Sequence, residues 1–327
     1  MFPFPALLCD IGGTNARFWL LPSRTAPASP MVRLNTSEHD NFAAAFETAL
    51  ARGGFPRPRS LLVGAAGPVR NRTAVLTNAA WHIDGPALAD ALDLDQGILF
   101  NDFETLALAL PALSSSELFP IGDVAAKEGL RLIVGPGTGL GVGALALVGG
   151  RFLPLSSEGG HIGFAPESEE ERRIWDRLDL PGSRIQAEML LAGPGLSRLY
   201  SALDAAPVQA ISGREISERA LHGLETRAQR AIQLWIRLLA RFSGDMALTF
   251  MASGGVYLAG GILPQIRQLI DARAFRRQFR HNEAHGQYLR AVPVHLICSA
   301  EPAMSGLAAL ARAPELYLVD YQDRLWR

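Results

Sequence analysis

A chain of 327 residues is longer than one hydrophobic core usually organises, so two domains are expected. Its composition is ordinary globular, 48% apolar and 19% charged, and a formal net charge of −1 gives nucleic acid or an anionic membrane no electrostatic reason to bind. Two cysteines, Cys9 and Cys298, each in an apolar strand-like run, exclude a disulfide scaffold and a four-ligand zinc site and are expected as buried free thiols.

Pro3 and Pro5 interrupt the apolar start and no basic segment precedes it, so no signal peptide is read. No apolar run approaches the ~18 residues a membrane span needs. The expectation is a cytoplasmic protein. Leu7–Cys9 and Ala16–Leu21 read as antiparallel strands joined by a tight glycine turn. In Asp10-Ile11-Gly12-Gly13-Thr14-Asn15 the glycines leave no side chain over the turn, so backbone N–H groups can approach a bulky anion. Thr14 and Asn15 add short hydrogen-bonding groups, and Asp10 stands where a hydrated divalent cation can be held. An ordinary hairpin is the other reading of this turn.

Residues 41–52 pattern as a helix capped by Asp40 or Asn41 and stopped at Gly53. Strands follow at 61–66 and 73–77, a helix at 86–92, and a strand at 98–100 ending on Asn101-Asp102 before a helix over 103–110. Strands alternating with helices imply an α/β sheet with an antiparallel hairpin at its front. Carboxyl ends of strands are where such sheets place ligands. Asp102 there can cap the helix or take a proton from a hydroxyl, and Asn101 offers donor and acceptor together.

A second unit begins near 111–116. A strand at 132–135 leads into Gly137-Thr138-Gly139, then into the apolar run 144–148. The opening hairpin is thus echoed about 125 residues on, an internal repeat that would supply two phosphate-gripping turns. The G-x-G-x-x-G spacing fails here and no acid follows at a strand end, which argues against NAD. Ser157-Glu158-Gly159-Gly160-His161 gathers a carboxylate and an imidazole suited to adjacent hydroxyls; a metal pair and a core histidine are the rival readings. Ser168 and Glu171 frame a capping box for a helix reaching Leu178. Helices are read at 185–191, 195–203, 217–222 and 225–250, with Trp235, Leu238, Leu239 and Phe242 at core spacing. Glu188 is either on the wet face of its apolar helix or holding a ligand. The run 256–259 ends at Gly260-Gly261, Pro264 starts a further helix, 294–298 is a strand, and 304–311 is a short helix that could return to the first domain. Lys127, the only lysine, lies in a polar turn, which excludes a P-loop and a Schiff-base enzyme.

These motifs in this order resemble the bacterial glucokinase family, within the hexokinase/actin-like ATPase fold. They are Asp10–Arg17, Leu76–Trp81, Asn101-Asp102-Phe103, Gly135–Gly141, Glu158-Gly159-Gly160-His161, Ala187-Glu188 with Ala192–Leu196, Gly254–Gly261 and Pro302–Leu307. The zinc-binding ROK branch is set aside because its cysteine cluster is absent. The resemblance implies an α/β, two-domain actin-like (ribonuclease H-like) fold, with a small α/β domain of 1–111 plus 303–327 and a larger α+β domain of 112–302 around a cleft. It implies ATP-dependent phosphorylation of glucose to glucose 6-phosphate, with Asp102 as general base for the 6-hydroxyl. Asn101, Glu158, His161 and Glu188 would bind the other hydroxyls, with Asn78 at the rim of the sugar pocket. Asp10, Ile11, Gly12, Gly13, Thr14 and Asn15 would form the first phosphate loop, Asp10 near magnesium through water. Gly137, Thr138 and Gly139 would form the second loop, and Gly260 and Gly261 the wall beside adenosine. Gly163 departs from the pattern, standing where many relatives carry an aspartate, and Pro68–Arg72 differs from the usual loop. The expected partners are glucose and Mg-ATP, with no nucleic acid and no membrane; the apolar C-terminal helices suggest a homodimer. A non-catalytic sugar sensor on the same fold, or a kinase for a related hexose, is the alternative.

Overall fold

The computed structural model describes residues 1–76, 81–178, 180, 182, 184–205 and 208–327, so Asn78 lies outside the described residues. The chain forms two compact units. The first comprises Met1–Leu113, Leu145–Ser156 and Ala300–Arg327, the second Ser114–Ala144 and Ser157–Ser299.

The first unit is built on a six-stranded sheet in the order Leu325–Trp326, Gln96–Asn101, Ser60–Ala65, Ala6–Ile11, Asn15–Leu21, Val32–Asn35. Ala6–Ile11 runs parallel to Ser60–Ala65, which runs parallel to Gln96–Asn101, while Asn15–Leu21 folds back antiparallel. Side chains alternate across the sheet with period two. Leu7, Cys9 and Ile11 therefore join Phe18, Phe42 and Phe46 on one face, and Ala6 and Leu8 join Phe100, Met304 and Leu307 on the other. Both faces are covered, which is why the strand reads as an unbroken apolar run. The helix Asp102–Ala109 packs closely on Pro302–Arg312. A side chain at Gly306 would run into the Thr105 carbonyl, and one at Gly64 into the Thr105 side chain.

A second sheet repeats this plan. It runs Arg151–Ser157, Leu140–Val148, Arg131–Pro136, Gly255–Leu258, Val294–Ile297, Leu118–Pro120, with the Arg131, Gly255 and Val294 strands parallel and Leu118–Pro120 antiparallel at the edge. Leaving the antiparallel edge strand aside, both sheets run third, second, first, fourth, fifth in chain order; that edge strand comes last in the chain in the first sheet and first in the second. The 24-residue helix Thr226–Thr249 is the spine of the second unit, burying Trp235, Leu238, Leu239 and Phe242. Among the described residues no helix is long and apolar enough to cross a membrane.

Several elements differ from their sequence reading. The helix opened by Ser168 ends at Trp175, short of Leu178, because Arg177 and Leu178 N–H groups bond to Ile174 and Trp175 in tighter turns. Glu171 does not reach back to Ser168; its carboxylate accepts from the Glu167 N–H and pairs with buried Arg241. Pro264 opens turns and a short 3-10 stretch rather than a helix, and the helix comes at Ala272–Phe279. There Asp271 accepts from both the Arg273 and Ala274 N–H groups. The helix placed at 185–191 begins at Ala187, and Cys298 is half-buried rather than buried.

Candidate active site

In the first unit the glycine turn joins two strands whose register sets Asp10 opposite Arg17. Arg17 Nη1 donates to Asp10 Oδ2 at 2.8 Å, and its Nε stands 3.0 Å from Glu301 Oε2, which also draws Arg33. Burial pushes the Asp10 carboxyl above its ordinary 3.8; the charge and hydrogen bond of Arg17 oppose the rise, and Glu301 adds to it. The turn is closed by Gly12 N–H donating to the Asn15 carbonyl. Thr36 holds it from behind, its Oγ1 donating to the Gly13 carbonyl and its N–H to the Thr14 carbonyl. Each trans peptide is planar, so the N–H groups of Thr14 and Asn15 point away from that support. A Cβ on Gly12 would make only ordinary contact at 3.7 Å, so the fold itself has no need of glycine there.

Asp102 opens the helix that follows Gln96–Asn101. Its neighbours supply the cap: Asn101 Oδ1 accepts from the Phe103 N–H at 2.9 Å, and Glu104 Oε2 accepts from the Asn101 N–H at 3.0 Å. Asp102 Oδ1 also accepts from the Phe103 N–H. Asn101 Nδ2 donates to the Gly67 carbonyl, so this amide already serves the fold through both of its ends. Glu104 is buried and bidentate with Arg324, 2.6 and 2.8 Å, which fixes the turn carrying Asp102. The sequence reading passed over Glu104, although Asn101-x-x-Glu104 is the signature of a reciprocal cap.

In the second unit one neighbourhood collects the remaining candidates. Gly137 N–H donates to the Gly139 carbonyl, and Gly193 N–H to the Gly137 carbonyl. Gly260, at φ 105°, lies against the Pro136 carbonyl, where a Cβ would collide; Gly261 faces open space. Gly160 lies against the Leu140 carbonyl. Glu188 Oε2 accepts from the Leu140 N–H at 2.8 Å, while its Oε1 is 4.0 Å from His161 Nδ1. Glu158 Oε2 is 3.7 Å from His161 Nε2. Glu188 therefore joins the carboxylate–imidazole group to the glycine turn, a link that sequence spacing does not encode. Thr138 is exposed at the turn. The segment after His161 is locked by Arg241, which lies 4.4 Å above the Phe164 ring, donates to the Ala165 carbonyl and pairs with Glu171.

A model of the glucokinase family matches residues 7–314. The glucokinase of Allorhizobium ampelinum is 36% identical over 331 residues, covering 99% of this chain and 97% of its own. The chain belongs to the glucokinase family. As a member it is a hexose kinase, an enzyme that transfers a phosphoryl group from a nucleotide triphosphate. Among solved structures, a glucokinase from an Antarctic psychrotroph superposes with a TM-score of 0.81 at 28% identity, covering 94% of this chain and 98% of its own. A ROK-family glucokinase from Streptomyces griseus, solved with glucose and AMPPNP, shares the fold at a TM-score of 0.64 and 22% identity, over 94% of this chain and 99% of that one. The glucokinase-family α/β fold expected from the motifs is the one observed.

Proposed function

We propose that the chain transfers the γ-phosphoryl group of Mg-ATP to the 6-hydroxyl of glucose, with Asp102 as the general base. The observation that carries this is the position of Asp102 at the carboxyl end of a parallel strand, on a helix turn held by the reciprocal cap of Asn101 and Glu104. Phosphoryl transfer asks mainly for positioning and charge stabilisation. The hydroxyl becomes acidic only as its bond to phosphorus forms, so an ordinary carboxylate can accept the proton late. Such assistance contributes about 10²–10⁴-fold.

Glu158, His161 and Glu188 are assigned to the other sugar hydroxyls, with the spare capacity of Asn101; Asn78 is assigned to the rim. The two glycine turns, 12–15 and 137–139, are assigned to the phosphates, and Gly260-Gly261 to the nucleotide's other end. Among the described residues no group of three His, Cys, Asp or Glu could hold a metal. Asp10 alone does not fit a resident ion. It fits magnesium arriving on the nucleotide, which keeps most of its waters and needs one carboxylate. A positive ion there would also offset the cost of ionising a buried carboxyl. We further assign the protein to the cytoplasm, as a homodimer, with a small domain of 1–111 plus 303–327 and a large one of 112–302.

The test is a coupled assay for glucose 6-phosphate with purified protein, glucose and Mg-ATP. Asp102→Asn should lower kcat at least about 100-fold while changing the glucose KM far less. Thermal stabilisation by glucose without turnover in the wild-type protein would overturn the reading in favour of a sugar sensor.

A further inference from the structure

His161 ends the 3-10 turn Gly159–His161 with about half its side chain exposed. Two oxygens face its Nδ1: Gln186 Oε1 at 3.1 Å and Glu188 Oε1 at 4.0 Å. Gln186 is the residue before the Ala187–Leu191 helix, yet its side chain makes no capping bond. Its backbone instead pairs with Gly163, with Phe164 N–H donating to the Ile185 carbonyl and Ala187 N–H to the Ile162 carbonyl. The segment that carries His161 is thus zipped to the segment that carries Gln186. The reach from amide to ring is set by backbone hydrogen bonds.

We propose that Gln186 is a positioning residue that fixes the tautomer of His161, so that Nε2 faces the sugar as an acceptor. This rests on the assignment of His161 to the sugar. In a neutral imidazole one nitrogen donates and the other accepts. The Gln186 oxygen, within hydrogen-bond reach of Nδ1, needs a donor there, whereas the Glu158 carboxylate near Nε2 lies beyond that reach and is open to water, so the proton sits on Nδ1. Nε2 then presents a lone pair, and beside it, 3.7 Å away, stands the Glu158 carboxylate, which also only accepts. Two adjacent acceptors call for two adjacent donors. A pair of neighbouring sugar hydroxyls supplies them, one proton to each.

Gly163 fits the same device. A Cβ there would meet only the Arg184 guanidinium, nearest at 3.6 Å, so the position has room for a side chain and carries none. The contact that steadies His161 comes from across the backbone pairing, from Gln186.

The experiment is long-range ¹H–¹⁵N NMR of histidine-labelled protein at about pH 8.5, where an imidazole is neutral, together with kinetics. The wild type should show His161 protonated at Nδ1, and Gln186→Leu should shift it toward the Nε2–H form. That variant should raise the glucose KM about 5–10-fold, a lost hydrogen bond's worth, with kcat and the Mg-ATP KM within about twofold. Gln186→Glu, which keeps an acceptor oxygen, should restore both the tautomer and most of the KM. A wild-type ring protonated at Nε2, or a Gln186→Leu variant with tautomer and glucose KM unchanged, overturns the proposal. The NMR reading needs no turnover, so failure of this inference is separable from failure of the phosphorylation assay.

Discussion

Asp10 carries its charge where burial disfavours it. Its native carboxyl titrates above the ordinary 3.8 because desolvation outweighs the help from Arg17. Between 3.8 and that raised value the folded chain holds more protons than the unfolded one. Stability therefore falls as pH rises through that window and stays lower above it. Asp10→Asn removes the buried charge, so its melting temperature at pH 7 should exceed that of the wild type, and the gap should close below about pH 4. If Asp10 holds the nucleotide's magnesium as proposed, activity should drop steeply in the same variant. Melting curves at pH 7 and pH 3.5 decide it; a variant less stable than wild type at pH 7 would mean Arg17 dominates. The role proposed for Asp10 comes from the turn motif. Its Arg17–Glu301 neighbourhood was not legible there, because Glu301 arrives from the far end of the chain.

Among the elements, the strand-to-helix turn at 101–104 decides where Asp102 points. Its cap depends on Glu104, buried and held by both guanidinium nitrogens of Arg324. Glu104→Gln leaves the half-buried Arg324 guanidinium short of its counter-charge, and breaking a buried pair costs on the order of 3–5 kcal/mol. Thermal and urea unfolding should show a loss at least half that large, with kcat reduced while the glucose KM stays near wild type. A stability within about 0.5 kcal/mol of wild type would show the pair to be idle, as exposed pairs often are. Strand and helix positions in this region were readable from periodicity and from the Asn–Asp boundary. The Arg324 partner was not, since the edge strand Leu325–Trp326 is two residues long and carries no pattern. The same limit explains the helix misplaced at Pro264. Proline marks a first turn well, but the Asp271 side chain bonds two N–H groups and so placed the helix further on.

For the molecule as a whole, the repeated strand order accounts for what occurs twice and what occurs once. Each sheet places a glycine-rich turn between its first and second strands, and a glycine with positive φ after its fourth, Gly67 and Gly260. After the fifth strand the copies part: one gives Asn101-Asp102 and a helix, the other Cys298, whose N–H bonds to the Glu117 carbonyl. The echo was visible in sequence because glycine and threonine recur in the turns; the matching strand order needed coordinates, since edge strands such as Leu118–Pro120 are too short to detect.

The assignment of separate ligand roles can be read from melting temperatures alone. A ligand at 100 times its Kd adds about 2.7 kcal/mol of stability, worth several degrees at roughly 2–4 °C per kcal/mol. Glucose and a non-hydrolysable ATP analogue with magnesium should each produce such a shift. In Gly137→Ala the new methyl's nearest neighbour is the Gly139 carbonyl at 4.0 Å and the backbone is not left-handed, so the unliganded melting point should hold within about 1 °C. On the proposed phosphate role of this turn the nucleotide shift should nevertheless vanish, while the glucose shift persists. Glu158→Gln should do the reverse, keeping the nucleotide shift and shrinking the glucose one. Glu188→Ala should diminish both, since one carboxylate oxygen holds the Leu140 N–H beside the turn and the other lies near His161. A full nucleotide shift in Gly137→Ala would remove the second turn from the phosphate site, and a Glu188→Ala variant that loses only the glucose shift would show that the turn stands without it.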